Sequence, residues 1–571
     1  MSGRRIKDLA ADLLKQNRFG CLPKWYQLGV PRKRWPLHLK DVAPVHQRLI
    51  TELLVMDLSL KEAWSKSLRW IQTEPEGVAR GNTVEAKLTP EGVKRMCEIG
   101  HAEKTTAAEV QSTVNIFPVE ERAKERERVI KHTKPFNERY GRDTLLGLKL
   151  LRAKDLVGTV HEGKYCITLD FSAWFDQHLI AEKVRPWFCF FFQGQWYRLC
   201  RLPMGMRQAV DIADTATRII ASFPVPAGVR VDTYVDNIRF LGNCLADVIK
   251  AATEFVKRAH QVNATINEVS PSLGVNEDNI KEAMAKLVVT AGEFLGIHFD
   301  YATKLVKVGT KALAKLVALK EVFDDGECTY RNLLAIFGIL FFALQATGAH
   351  ACRRYYALKE YSDASRLLQR DPGRLESLWK CSPSRLVHIK KWIEEVQANA
   401  PVMVAQRVAA TDAEFIIVVD ASGWGWGAVL VNQRTGAIRT WNEPWNTGWT
   451  GARKSAWSEP EGAKRAILHF FPEGTTHSIG VLSDSSTAVG AYSKGHSMKF
   501  AVNRAILEFE SAFKGWNVRW YHIPGVLNCS DGESRGMKIK AEDLEATAQQ
   551  VRCLVLGLPR EEGPIYVQQD L

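Results

Sequence analysis

Three observations predict an α+β multidomain protein. The first is VRVDTYVDNIRF, where apolar and polar residues alternate on both sides of Asp236; this pattern reads as strand, tight turn, strand. The second is YCITLDFSAWF, a β-rich run from Tyr165 to Leu169 that ends at Asp170. The third lies beyond Phe415, where strand-like and helix-like stretches alternate and acidic residues stand at their junctions. The 571 residues suffice for about three to five domains.

Composition narrows the class. Hydrophobic residues make up 46%, enough for real cores, and the net charge of +13 with a pI near 9.1 favours a polyanionic partner. The 11 cysteines are scattered, odd in number and contain no C-x-x-C pair, which points to reduced thiols and an intracellular setting, cytoplasm and/or nucleus. The start, MSGRRIKDLAADLLKQ, reads as a charged helix without a secretory apolar core. The longest apolar run, Leu333 to Leu344, is short for a bilayer span and reads as a buried helix, so no membrane partner is expected.

Residues 1–115 carry little chemical signal; Trp25, Trp35, Trp64 and Trp70 lie among basic residues on what reads as an amphipathic surface. From Glu121 to Lys154 there are 11 Lys/Arg against 5 Asp/Glu. On a strand, Arg126 and Arg128 project from one face, where they can meet a triphosphate. Asp170 and Asp236, each just past an apolar run, suit a two-metal phosphoryl-transfer site, since Mg²⁺ takes a few carboxylates and leaves its other positions to water and phosphate oxygens. Phe175 lies five residues after Asp170, and an aromatic beside a sugar pocket can exclude a 2′-hydroxyl by sterics. The run Trp187–Phe192, the turn Gln193-Gly194 and WYRL read as a hairpin. Leu202-Pro203-Met204-Gly205 then forms a hinge ahead of a helix, where backbone can approach a base or a template strand.

R-x-R-V-I, D-x-x-x-x-F, LPMG and YVDN occur in that order. GEFLGIHFD (Gly292 to Asp300) and LLAIFGILFFA (Leu333 to Ala343) follow. Together they resemble a retroelement reverse transcriptase over about residues 115–350. The resemblance implies Asp170 and Asp236 as metal ligands and Phe175 as sugar gate. It also implies Arg126, Arg128, Gly205, Tyr234 and Asn237 as substrate-binding residues. Three departures stand out: Asn237 where the family usually has a second aspartate, Ala209-Val210 after LPMG, and no lysine in NATINEVS after the tip hairpin.

A second block opens near Phe415. FIIVVDASGWGWGAVLV reads as strand, Asp420, small-residue turn, strand; WSEPEGAKRAILHF opens a helix with Glu459; VLSDSSTAVGAYSKG places Asp484 ahead of a helix; VRWYHIPGVLNCSDGESRG ends with Asp531 at a helix start. Four such carboxylates can hold two divalent ions that activate a water and stabilise a leaving oxygen. The order D, E, D, D with the closing IPGVLNCSDGESR resembles ribonuclease H over about residues 412–540. That resemblance assigns Asp420, Glu459, Asp484 and Asp531 as ligands, with Glu461 a rival of Glu459, His522 near the cleaved phosphate, and Asn528 and Ser485 orienting ligands.

The two resemblances imply a right-hand polymerase (fingers, palm, thumb) followed by an RNase H-like α/β domain. The expected divisions are an N-terminal region at 1–115, fingers and palm at 116–305, thumb at 306–350, connection at 351–410, RNase H at 411–545 and a tail at 546–571. Expected cofactors are two Mg²⁺ per site, with Mn²⁺ as an alternative. Expected partners are an RNA template, a DNA primer, the RNA-DNA hybrid, dNTPs and other retroelement-encoded proteins. The plan looks like the DIRS-type retrotransposons, and YVDN with AWFD is similar to the VIPER elements of trypanosomatids. Two other readings compete: a domesticated, non-catalytic RNA-binding scaffold, and a ribonuclease H whose polymerase half only binds the hybrid.

Overall fold

The computed structural model describes residues 35–558, apart from 54–56, 76–82, 122–124, 140–145, 147, 325, 405–409, 447–454 and 472–475. Trp25, the rest of 1–34 and the last part of the tail lie outside the described residues. The fold is α+β and multidomain, with five separate sheets among the described residues.

Strand β1 (Leu37–His38) leads to helices α1 (Gln47–Glu52), α2 (Leu58–Gln72) and α3 (Pro90–Glu98), then to β2 (Ala102–Thr105). The hairpin β3 (Asn115–Glu121) and β4 (Arg126–His132) takes β1 as a third strand, parallel to β4. β5 (Tyr165–Asp170) precedes a second hairpin, β6 (Cys189–Phe192) and β7 (Gln195–Leu199), which pairs with β2. After α4 (Ala209–Ile220) come β8 (Val229–Tyr234) and β9 (Asn237–Gly242), which form a three-stranded antiparallel sheet of order β5-β9-β8. Helices α4 and α5 (Leu245–Gln261) bury their apolar faces on this sheet, with Ile212, Ala216, Ile219, Ala252, Phe255 and Val256 fully enclosed.

The ladder β10 (Ala291–Phe294), β11 (Ile297–Asp300), β12 (Leu305–Val308) leads into four helices: α6 (Thr310–Asp324), α7 (Tyr330–Thr347), α8 (Tyr355–Arg370) and α9 (Pro383–Ala398). β13 (Val402–Met403) then returns to pair with β12. Helix α7 starts where the Thr329 hydroxyl accepts the Asn332 N–H and stops at Gly348, whose φ of +64° suits glycine. It is the one helix among the described residues long and apolar enough to cross a membrane, by length and composition. In the fold, Leu333, Ile336, Phe337 and Leu340 of α7 are buried in one core with Trp392 and Ile393 of α9.

The C-terminal domain is a five-stranded mixed sheet of order β16-β15-β14-β17-β18. Its strands are β14 (Phe415–Ala421), β15 (Gly425–Asn432), β16 (Ile438–Pro444), β17 (Ser478–Ser483) and β18 (Asn517–His522). The first three are antiparallel; β17 joins β14, and β18 joins β17, in parallel. Central β14 is buried on both faces, as the unbroken run FIIVVD requires. Helices α10 (Ser455–Phe470), α11 (Ser486–Lys494) and α12 (Phe500–Ala512) pack on one face, and the one-turn α13 (Asp531–Ser534) lies against β14 and β15.

Candidate active sites

Asp170 closes β5, and the register sets it opposite Asn237, the first residue of β9. Asp236, at the tip between β8 and β9, therefore stands beside it, and the Phe171 N–H donates to the Asp236 carbonyl at 2.8 Å. The tip is strained. Val235 has φ of +56°, a region a β-branched residue rarely adopts. Buried Asp214 of α4 accepts the Val235 N–H at 2.9 Å, and the Thr217 hydroxyl donates to its carbonyl. Such strain persists where the surroundings over-determine it. Neither Asp214 nor Thr217 figures in the motif reading, although DIADTATRII shows polar residues on an otherwise apolar helix.

Burial first, then repulsion from Asp236, pushes the Asp170 carboxyl up to about 6. Burial also raises Asp236, opposed by an Asn237 Nδ2 hydrogen bond to its Oδ1 at 2.8 Å and by the Arg128 charge. The Asn267 amide donates to Asp170 Oδ2 at 2.7 Å, and the Glu268 carboxylate accepts the Asp170 N–H at 2.9 Å. Burial raises the Glu268 carboxyl too. Asn267 and Glu268 lie in the NATINEVS segment that sequence comparison marked only by its missing lysine.

Other expected substrate contacts are partly diverted. Arg126 and Arg128 both pair with Glu121, which sits directly opposite Arg126 in the β3–β4 register. Arg126 also meets the His38 ring and is one-fifth exposed, whereas Arg128, at 43% exposure, is near enough for its charge to act on Asp236. A Cβ on Gly205 would lie 2.1 Å from the Lys131 carbonyl, and Asn137 Nδ2 donates to the Gly205 carbonyl at 2.8 Å. One close approach that glycine permits here is to the β4 backbone. Phe175, on the short turn Trp174–Gln177, and Tyr234, at the end of β8, are partly buried and pack on the same core.

In the C-terminal domain the ends of β14 and β17 and the first turns of α10 converge. Asp420, Glu459 and Asp484 each offer an oxygen within 4.8 Å of the others, and among the described residues no other trio of His, Cys, Asp or Glu does so. Gly427 faces Asp420 across β14–β15; a Cβ there would lie 2.3 Å from the Ser534 nitrogen, so glycine is what lets α13 close down on the strand. The Ser534 hydroxyl then reaches Asp420 Oδ2 at 2.5 Å, and Asn528 Nδ2 lies 3.5 Å from Oδ1. Burial, opposed by the Ser534 hydrogen bond, raises the Asp420 carboxyl.

Glu459 is 5% exposed, and its Oε2 has no hydrogen-bond partner. Burial, then repulsion from Asp420 and Asp484, pushes it up to about 9. Glu461, the rival, is taken up by Lys464 and Arg465. Asp531 stays outside the trio; its side chain is half exposed and bonds Arg535 at 2.8 Å, although its charge still raises Asp420. Arg535, the residue that ends this short helix, is its i,i+4 partner. Ser485 caps α11, its hydroxyl accepting the Ala488 N–H. His522 is exposed at the end of β18, with Nε2 3.2 Å from the Asp484 carbonyl.

The trio fits a hard divalent cation. Three carboxylates are held close, and one buried oxygen has no donor, an arrangement costly for the bare anions and satisfied by an oxygen-preferring ion. At the first site Asp170 and Asp236 supply two partly buried carboxylates, the hard oxygen donors of which a Mg²⁺-type ion needs only a few.

No family model and no curated protein matches the sequence. Solved structures do. The foamy viral protease-reverse transcriptase dRH in complex with ds DNA matches at 13% identity and a TM-score of 0.47, covering 86% of this chain and 83% of that one. The foamy viral protease-reverse transcriptase in complex with dsDNA matches at 13% and 0.45, covering 92% and 98%. The same protein in complex with RNA/DNA hybrid matches at 13% and 0.44, covering 88% and 66%. Identity this low transfers no residue role, so the chemistry is argued from this chain's own side chains.

Proposed function

We propose that the chain is an RNA-directed DNA polymerase joined to a ribonuclease H. The observation that carries the reading is the buried trio Asp420, Glu459 and Asp484 with its unpartnered Glu459 oxygen. In the same chain a strained hairpin tip brings Asp236 beside Asp170. In the first half Asp170 and Asp236 would hold the cation, Asn237 and Asn267 fix their rotamers, and Arg128 would meet the incoming phosphates. In the second half Ser534 and Asn528 fix Asp420, and Glu459 brings the third carboxylate from α10. Bound divalent ions, Mg²⁺ in this reading, lower the pKa of an attacking hydroxyl or water and screen the phosphate oxygens. The basic surface binds template, primer and hybrid through phosphates, so binding weakens with salt. The order of the motifs favours a retroelement origin of the DIRS type.

Two assays test the halves separately. Wild type is expected to extend a DNA primer on an RNA template with Mg²⁺ and dNTPs, and Asp170→Asn to abolish extension. It is also expected to cut the RNA strand of a hybrid, and Asp484→Asn to abolish cutting. Extension by Asp170→Asn at the wild-type rate would refute the polymerase half, and cleavage by Asp484→Asn at the wild-type rate the nuclease half. Asn237 favours a second reading, a ribonuclease H whose first half only binds the hybrid. That reading wins if wild type cleaves but does not extend and Asn237→Asp restores extension.

A further inference from the structure

The region ahead of the first motif has no assigned role, yet the chain from 36 to 46 runs directly past the Asp170 site. β1 pairs with β4, and the Glu127 N–H donates to the Pro36 carbonyl. Farther along, the Val45 N–H donates to Gln177, the His46 N–H to Val262, and Asn263 Nδ2 to the Pro44 carbonyl. The segment is therefore a strap, tied to the β3–β4 hairpin at one end and to the Trp174–Gln177 turn and the C-terminal end of α5 at the other.

Lys40 lies midway along this strap. Its ammonium donates to Ser172 Oγ at 2.9 Å and to Asn267 Oδ1 at 2.5 Å. Asn267 is pinned by its own backbone, whose N–H donates to the Asp170 carbonyl at 2.8 Å. An amide side chain has one accepting and one donating end, and an ammonium can only donate. Lys40 therefore holds Oδ1 toward itself, which turns Nδ2 toward Asp170 Oδ2, 2.7 Å away. Without the lysine the amide is free to flip and present an oxygen to the carboxylate. No lysine is present in residues 263–270 to do this locally, and Lys40 arrives from 227 positions earlier.

We propose that Lys40 is a positioning residue of the first carboxylate site: through Asn267 it fixes the Asp170 rotamer, which makes the strap part of the polymerase machinery. The proposal rests on the polymerase reading. Its test is a double-mutant cycle in the full chain with Lys40→Met, Asn267→Ala and the pair. Each single change is expected to lower kcat for primer extension about tenfold, the loss of one charged hydrogen bond, with the dNTP KM unchanged. The pair is expected to be no worse than the poorer single, because both break one relay. Hybrid cleavage stays at the wild-type rate in all three and reports that the chain is folded. Losses that multiply to about a hundredfold overturn the relay, as does a raised KM with unchanged kcat, which would put Lys40 on the nucleotide itself.

If wild type extends no primer, the polymerase reading fails and the relay is read by metal binding instead. Mn²⁺ is titrated by electron paramagnetic resonance into chains that also carry Asp420→Asn and Asp484→Asn, which removes the second site. Equal, non-additive weakening by Lys40→Met and Asn267→Ala supports the relay. Identical affinities, or no Mn²⁺ bound, overturn it.

Discussion

At the β8–β9 tip each carboxylate has its own donor: Asn267 on Asp170, Asn237 on Asp236, with Lys40 and Arg128 as nearby cations. At the edge of β14 three carboxylates meet with no cation among the partners of Glu459, and one oxygen has no donor. Burial raises the carboxyls at both sites; at the first, donors and nearby cations offset part of that cost, whereas at the second the Glu459 oxygen has no protein donor to do so. Like charges at close range must be neutralised by protons, partners or metal, and the two halves of this chain chose different means.

The sharpest way to break this comparison is to remove one member of the trio. Asp420→Asn is expected to lower hybrid cleavage by at least about a thousandfold, the several kcal/mol a metal-held site supplies, while primer extension stays unchanged. If both activities fall together, the halves are not independent.

Next in size is stability without metal. Glu459 has a folded pKa of about 9 against an ordinary 4.5, so between these values the folded chain binds more protons than the unfolded one. Stability therefore falls as pH rises through that window. In EDTA the melting temperature of the C-terminal transition is expected to drop from pH 5 to pH 9, and Glu459→Gln to flatten the slope. Mg²⁺ should raise the wild-type transition by the equivalent of about 2.7 kcal/mol at a hundred times Kd, and the Asp420→Asn transition by less. No slope in wild type would show that Glu459 is not buried bare.

A smaller contrast is the acid limb of extension. With Asp170 at about 6, primer extension should fall as pH drops through or below that value, at a pH that moves down as Mg²⁺ is raised, since metal and proton compete for the same oxygens. A limb indifferent to Mg²⁺ would assign it to another group.

The smallest effect expected is Asn237→Asp. It replaces a donor to Asp236 with a second acceptor, so the Mg²⁺ needed for half-maximal extension should change by less than about tenfold. A larger gain would mean that the asparagine tip is a lesion.

Much of this layout was legible in sequence because it is written in local periodicity. The alternation around Asp236 specified a hairpin, found as β8 and β9, and FIIVVD with its small-residue turn specified β14 and β15. The choice between Glu459 and Glu461 was also within reach: Gly462 and Ala466 mark the face of α10 that packs on the sheet, and Glu459 shares it. At Gly205 a glycine marks close backbone approach without saying to what; the structure shows one such approach, to β4. Motif order does not reveal that Asp531 also has a partner four residues on, Arg535.

By itself, then, the sequence determined the elements and most of the acids, since strand alternation, helix spacing and turn residues act over a few positions. Only the tertiary structure decided which acids meet, which are neutralised and by what. Lys40 and Asn267 are 227 residues apart, Ser534 and Asp420 are 114 apart, and no periodicity links such pairs. The charge balance of a site is a sum over everything within a few ångströms, and that neighbourhood exists only once the chain has folded.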